Sequence, residues 1–148
     1  MASGKTNRGK KRMLDVFYRA GTTPTTFYMA LCTSAATPGP DTNTLSEMTQ
    51  ITGGTGYTTN GLAVARNSTD FDVLTEDDSN DRALVQIKDL VWTGSGGTVA
   101  AARWAVLTDD NGTPASRDIL DYFDLVSDRT VSDGQALTLQ DCEMRLTD

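Results

Sequence analysis

The side chains that could do acid–base chemistry are few in this 148-residue sequence. Histidine, the usual base near neutral pH, is absent. Two pairs of carboxylates could substitute, as in glycosidases. Asp121 and Asp124, however, are expected on opposite faces of one strand, because strand side chains alternate. The other pair, Asp109 and Asp110, falls in a predicted hairpin turn. We therefore expect neither pair to line an active-site cleft.

Nucleophilic and cofactor chemistry also lack their usual residue patterns. The run Cys32-Thr33-Ser34 has no partner base visible in the sequence. Cys32 and Cys142 fit buried core thiols, and a disulfide between them stays open. Zinc sites normally need more cysteine and histidine than this. The glycine-rich segment 93–98 lacks the lysine of a phosphate-binding loop. We predict that the protein is not an enzyme and binds neither a metal nor an organic cofactor.

Residues 70–81 are rich in carboxylates that could bind calcium. Asp77, Ser79 and Asp81 match the first, third and fifth positions of an EF-hand loop. The match then fails, because Arg82 replaces the turn glycine and Lys88 replaces the closing glutamate. We therefore predict a solvated acidic loop, with calcium binding as the less favoured alternative.

The basic residues are concentrated at the N-terminus. The formal net charge is −7, yet residues 1–12 hold five basic residues and no acidic one, whereas the remainder holds eight basic and 20 acidic residues. We predict a basic arm over residues 1–12 that either contacts an acidic partner surface or is a disordered, solubilising tail. Its deletion is expected to leave the body folded. The acidic body and the lack of interleaved aromatic residues argue against nucleic acid as the partner.

Two stretches near the N-terminus predict the first regular elements. Residues 7–20 have apolar side chains at helical spacing. We expect the face formed by Met13, Val16, Phe17 and Ala20 to pack into the core, with a partner-binding helix as the less favoured alternative. Residues 25–33 are apolar on both alternating faces, which predicts a central strand covered from both sides. The loop that follows, 36–57, is longer than compact domains usually contain, so we expect it to bind a neighbour.

The rest of the chain predicts strands joined by turns. A short strand is expected at 62–66, and one at 82–92 changes phase near Asp89, which suggests a bulge. A strand ending at 108 is expected to return through an Asn111-Gly112 hairpin into a strand over 118–126. Turns are predicted at 127–130 and 132–134. The last strand, 135–146, changes phase near Gln140.

This order of elements predicts a mainly β fold, an antiparallel β-sandwich or jelly-roll of six to eight strands with one short N-terminal helix. At 148 residues, we expect a single domain over 13–148 that follows the arm. No apolar run approaches the roughly 20 residues that a membrane helix requires, so we expect no membrane association.

Several segments carry a resemblance that spans nearly the whole chain: 17–21, 27–35, 37–38, 53–57, 103–109 and 129–135. In these segments the sequence is similar to a family of small virion structural proteins of tailed bacteriophages. Their members are variously capsid decoration (cement) proteins, tail fibre-like proteins or minor tail proteins. The similar segments form the fold and contain no catalytic residues, so they do not separate these roles.

The resemblance implies a capsid decoration protein that binds the major capsid protein on the assembled head and stabilises it. The alternative is a tail fibre-like or minor tail protein that recognises a host surface. Extended arms and long loops suit a shell-binding role, and no repeats typical of fibres occur. The resemblance further implies a location on the capsid surface after synthesis in the bacterial cytoplasm, and a homo-oligomer, with a trimer favoured. The host is not specified.

The residues expected to contact the partner lie on both sides of the strand at 25–33. On the N-terminal side they are basic, and on the C-terminal side they belong to the glycine-rich loop. Tyr57 is the clearest candidate for an exposed aromatic contact in that loop. These residues are Lys5, Arg8, Lys10, Lys11, Arg12, Gly53, Gly54 and Tyr57.

Overall fold

The computed structural model describes residues 1–147, which form ten β-strands and one α-helix. The elements in chain order are β1 (Ser3–Lys5), α1 (Asn7–Tyr18), β2 (Thr26–Cys32), β3 (Leu62–Ala65), β4 (Val73–Asp77), β5 (Arg82–Ile87), β6 (Leu90–Thr93), β7 (Val99–Thr108), β8 (Ile119–Val131), β9 (Ala136–Leu139) and β10 (Cys142–Thr147). Single turns of 3₁₀ helix occur at Leu45–Glu47, Asp78–Asn80 and Pro114–Ser116.

The strands form three antiparallel sheets. Five strands pair in the order β1-β8-β7-β2-β3, three in the order β10-β5-β4, and β6 pairs with β9. The predicted mainly β, sandwich-like architecture with an N-terminal helix is confirmed. The chain divides into ten strands, more than the six to eight expected, because two predicted long strands are each broken and because β1 and β4 were not predicted. Among the described residues, no helix is long and apolar enough to cross a membrane.

One hydrophobic core lies between the sheets and receives side chains from all three. The five-stranded sheet contributes Leu31 and Phe123, the three-stranded sheet contributes Ile87, and the β6–β9 pair contributes Trp92 and Leu139. Because the sheets share this core, burial of its apolar side chains is the main force that holds them together.

Strand β2 is buried on both faces, as its sequence predicts. Met29 and Leu31 point into the main core, whereas Ala30 and Cys32 belong to a second cluster on the opposite face of the sheet. β2 pairs with β7 on one side and β3 on the other, so β7 rather than β2 occupies the middle of the sheet. Both cysteines are free and buried, and burial raises the pKa of each thiol to about 12.

The long loop over residues 36–57 covers the outer face of the five-stranded sheet. Leu45 and Met48 complete the second cluster together with Cys32, Val106 and Ile119. The apolar side chains of the loop are thus used inside the molecule, and the expectation that the loop binds a neighbour applies to its exposed residues, among them Gly53 and Gly54.

The two predicted phase changes are one structural feature. The chain passes from β5 to β6 at residues 88–89 and from β9 to β10 at residues 140–141. Since β5 pairs with β10 and β6 with β9, the two breaks face each other, and the side chain of Gln140 donates a hydrogen bond to Asp89 at 2.9 Å. The predicted bulge near Asp89 is thus a corner at which the chain changes sheet.

Two predicted turns differ from the structure. β7 and β8 are antiparallel partners, but residues 109–118 and their 3₁₀ turn join them instead of a tight Asn111-Gly112 hairpin. The turn expected at 127–130 lies inside β8, which continues to Val131. Val126 has a positive φ of 69°, so a local irregularity replaces the turn.

Helix α1 packs very closely on β8. Thr6 caps its N-terminus, because the Thr6 hydroxyl accepts a hydrogen bond from the Gly9 N–H at 2.8 Å. Gly9 is the buried residue of the helix, and a Cβ at this position would collide with the backbone of Leu120. The helix is therefore held by its capped first turn, where glycine permits contact between backbones.

We predict that Gly9→Ala destabilises the protein, although alanine favours helices. The added Cβ forces α1 away from β8, and we expect the free energy of unfolding to fall by about 1–3 kcal/mol, as in other overpacked sites. Chemical denaturation measures this change. Gly39→Ala is the matched control, because no atom lies within 4 Å of a Cβ there. Equal stability of the two variants would contradict the close packing of α1.

Candidate functional site

The N-terminal residues 3–12, predicted as an arm, belong to β1 and α1 and are attached by buried ion pairs. Lys5 in β1 contacts both carboxylate oxygens of Asp121 in β8, at 2.8 and 2.7 Å. The side chains of Lys5 and Asp121 are only 9% and 5% exposed. Burial raises the pKa of Asp121, and the nearby Lys5 opposes this effect.

A second ion pair attaches α1 to the end of β7. The Arg12 Nε donates to the fully buried Asp109 at 3.1 Å, and a terminal nitrogen of Arg12 donates to the carbonyl of Thr22 at 2.7 Å. Burial raises the pKa of Asp109, partly offset by backbone N–H donors and Arg12. Arg8 lies 3.6 Å from Asp118 and adds a weaker contact.

These contacts change the roles expected for the basic residues. Lys5 and Arg12 bind buried carboxylates of their own chain, so they are not free to hold a partner, whereas Arg8 is 39% exposed and makes only the longer contact with Asp118. Lys10 and Lys11 are exposed and form no ion pair within residues 1–147. Deletion of residues 1–12 would leave Asp109 and Asp121 buried without cations, so it would not spare the fold.

The loop residues that were expected to bind a partner also divide into two groups. Tyr57 is 3% exposed, and its hydroxyl accepts from the Leu31 N–H and donates to Gln50. The prediction of Tyr57 as an exposed contact is therefore wrong. Gly53 and Gly54 are exposed, and Gly54 exchanges two backbone hydrogen bonds with Tyr57 in a tight turn.

The acidic stretch at 70–81 is not the predicted loop, because it contains β4 and a 3₁₀ turn. Asp70 binds Lys88, and Asp77 accepts hydrogen bonds from Asn80 and Arg82. These bonds lower the pKa values of Asp70 and Asp77. Among residues 1–147, no group of three side chains is arranged to hold a metal ion.

The face of α1 that was expected in the core is exposed. Met13 is 40% exposed, Leu14 58%, Phe17 81% and Tyr18 74%, and only Val16 of the predicted apolar face is half-buried. Phe17 and Tyr18 contact each other edge to face, with ring centroids 4.9 Å apart. The prediction that this face is core is therefore wrong for Met13 and Phe17. The buried contact of α1 is confined to its first turn, at Gly9, and the apolar side chains beyond that turn stay largely uncovered.

This helix face continues across the surface to β4 and β10. A groove of about 640 Å³ runs between α1 and Leu146, and an adjoining apolar cavity of about 260 Å³ reaches Leu74 in β4. Six of the ten exposed large hydrophobic side chains line these two spaces. We call them the association strip: Met13, Leu14, Phe17, Tyr18, Leu74 and Leu146.

The sequence contained one signal of how α1 docks. Gly9 is a poor helix former within the first turn, and an interior glycine often marks close approach of a backbone. That signal indicates close contact in the first turn, but it does not indicate that Phe17 and Leu14 are exposed, because Met13 and Val16 follow Gly9 on the same side of the helix. No comparable signal identifies Leu74 or Leu146, because they approach α1 only through the fold.

Comparisons with known proteins add no family assignment. No protein-family model matches the chain, and no curated protein or solved structure is similar to it at a significant level. The fold and its surface define a sandwich-like β domain with a docked N-terminal helix, and the association strip is the feature that has no role inside it.

We predict that Lys5→Met lowers the free energy of unfolding by about 3 kcal/mol near neutral pH, because it leaves Asp121 buried without a cation. Urea denaturation measures the loss. The double variant Lys5→Met/Asp121→Leu removes both charges and is expected to recover most of the stability. It is the control for lost packing around Lys5.

The loss caused by Lys5→Met should shrink as the pH falls toward about 4. Burial raises the folded-state pKa of Asp121 above its unfolded value, so the native state binds the extra proton in that range. A group of this kind disfavours folding as the pH rises through its folded pKa. A loss that stays constant between pH 4 and pH 7, or stays below about 1 kcal/mol, would show that the pair is not essential.

Proposed function

We propose that this protein is a structural component of a bacteriophage virion, a capsid decoration protein that binds the assembled head and stabilises it. The association strip is the observation that supports this role. Apolar patches of this kind are rare on proteins that function alone, and they mark sites of protein association. The resemblance of the sequence to phage virion proteins directs the choice of partner to the major capsid protein.

The contacts of the acidic side chains favour a role in protein association over a role in catalysis. The buried carboxylates Asp109 and Asp121 are bound by Arg12 and Lys5, and the partly buried acid Asp77 is bound by Arg82. These acids are therefore occupied by contacts within the chain. The apolar side chains of the strip, by contrast, keep 40% or more of their surface uncovered in one copy, which supports a role in contact with another molecule.

A decoration protein stabilises a shell by mass action. It binds the assembled lattice and not the separated subunits, so each bound copy shifts the equilibrium toward the lattice. The contact residues that we propose differ from those expected at the N-terminus. Lys10 and Lys11 stay available for a partner, as do Gly53 and Gly54 in their exposed turn.

We predict that the purified protein binds expanded empty heads and that Phe17→Ser weakens this binding at least tenfold. The serine removes the most exposed apolar side chain of the strip, and about 1.4 kcal/mol, less than a buried phenylalanine contributes, already gives a factor of ten. Cosedimentation with heads over a range of protein concentrations measures the change. We expect this loss of head binding whether the strip contacts the shell directly or joins two copies that are bound on the shell.

Val91→Ser is the matched control for this experiment, because Val91 is 49% exposed on β6 and lies outside the strip. It should bind heads as the unchanged protein does. Labelling of purified virions provides the second measurement. Protein found at the tail tip and not on the head would overturn the decoration role and favour host recognition by a tail protein.

A further inference from the structure

The association strip is bordered by charges of opposite sign on its two sides. Lys10 and Arg66 line the groove beside α1, and Lys11 follows Lys10 in the helix. A recess of about 880 Å³ next to β4 is lined by three unpaired acids and by Arg82, which is paired with Asp77. The three basic residues beside α1 and the three unpaired acids are exposed, and none of these six forms an ion pair within residues 1–147. We call them the basic rim, Lys10, Lys11 and Arg66, and the acidic rim, Glu76, Asp78 and Asp81.

Leu146 connects the two sides of this surface. It lines the groove beside α1 and also the acidic recess, and Leu74 lines both the recess and the apolar cavity. The rims therefore lie on one face of the molecule, with apolar side chains between them. An arrangement of positive, apolar and negative groups in a row is its own complement after a rotation of 180°.

We propose that the association strip is the contact between two copies of this chain, related by a two-fold axis that passes near Leu74 and Leu146. Each basic rim then lies over the acidic rim of the partner copy, and the apolar side chains cover each other. The inference goes beyond the proposed function, since it applies to the protein in solution. The pair uses the strip between its own copies, so on a shell it would act as a bivalent ligand that contacts the lattice through residues outside the strip, such as Gly53 and Gly54 in their exposed turn.

The charges around the association strip favour a second copy of the chain over a partner of a single charge sign. A partner with an acidic surface would be attracted to Lys10 and Lys11 but repelled by Glu76 and Asp78. A basic partner would meet the opposite conflict. Like charges that face each other across an interface oppose association, whereas complementary charges fix its register. A second copy of the chain presents both signs at the matching spacing.

The size of the surface indicates a weak and reversible pair. The strip and its rims comprise twelve residues per copy, fewer than the roughly 20–30 residues per partner in a stable interface of standard size. We therefore expect a monomer–dimer equilibrium that depends on protein concentration. Added salt should shift it toward monomers, because exposed charges are screened.

Two charge-reversed variants test the arrangement. Lys10→Glu/Lys11→Glu makes both rims acidic, and Glu76→Lys/Asp78→Lys makes both rims basic. Each variant alone should lose at least tenfold in dimer association in sedimentation velocity experiments. An equimolar mixture should regain it as a heterodimer, which a fluorescent label on one variant identifies. Circular dichroism and thermal unfolding establish that each variant is folded.

The mixture separates this inference from its competitors. Heterodimers in the mixture support the two-fold pair, whereas monomers in the mixture, or an unchanged protein that stays monomeric at high concentration, overturn it. A trimer of the unchanged protein would also overturn it, because a three-fold ring joins different surfaces. Head binding is measured separately. If the protein binds heads but forms no dimer in solution, only this inference is rejected. If the protein forms dimers but does not bind heads, only the decoration role is rejected.

Discussion

The buried carboxylates Asp109 and Asp121 determine where the N-terminal segment lies. They stand at the end of β7 and within β8, and burial raises the pKa of both. A buried carboxylate needs a nearby cation to stay ionised without a large penalty. Lys5 and Arg12 supply these cations, so β1 and α1 must both lie against β8. In α1 this placement attaches the first turn at Gly9 and the side chain of Arg12, and it leaves Leu14, Phe17 and Tyr18 uncovered.

The sequence shows the excess of basic residues at the N-terminus but not their partners. An ion pair between Lys5 and Asp121 joins residues far apart in the chain, and no local pattern encodes it. Helical periodicity likewise predicts that α1 exists, but it does not say which side faces the body. The usual assumption that the apolar side is buried fails here, because α1 is buried only in its first turn, at Gly9, and Met13 and Phe17 lie beyond this contact.

The strands show the same division between local pattern and long-range pairing. β2 could be predicted as buried on both sides because both of its faces are apolar. The phase changes near Asp89 and Gln140 were also visible, but only the pairing of β5 with β10 shows that they form one corner. β4 escaped prediction because nearly all its residues are exposed, so alternation gives no hydrophobic signal. Tyr57 was misjudged because its burial depends on a hydrogen bond with β2.

An uncovered apolar surface carries a risk of indiscriminate association, and the charge distribution of this protein limits that risk. The net charge of −7 makes copies repel one another at long range. Only an orientation that places Lys10 and Lys11 near Glu76 and Asp78 replaces this repulsion with attraction, while Phe17 and Leu74 lose contact with water. The apolar side chains thus supply the affinity and the rims supply the register. Both follow from the docking of α1 by the buried carboxylates.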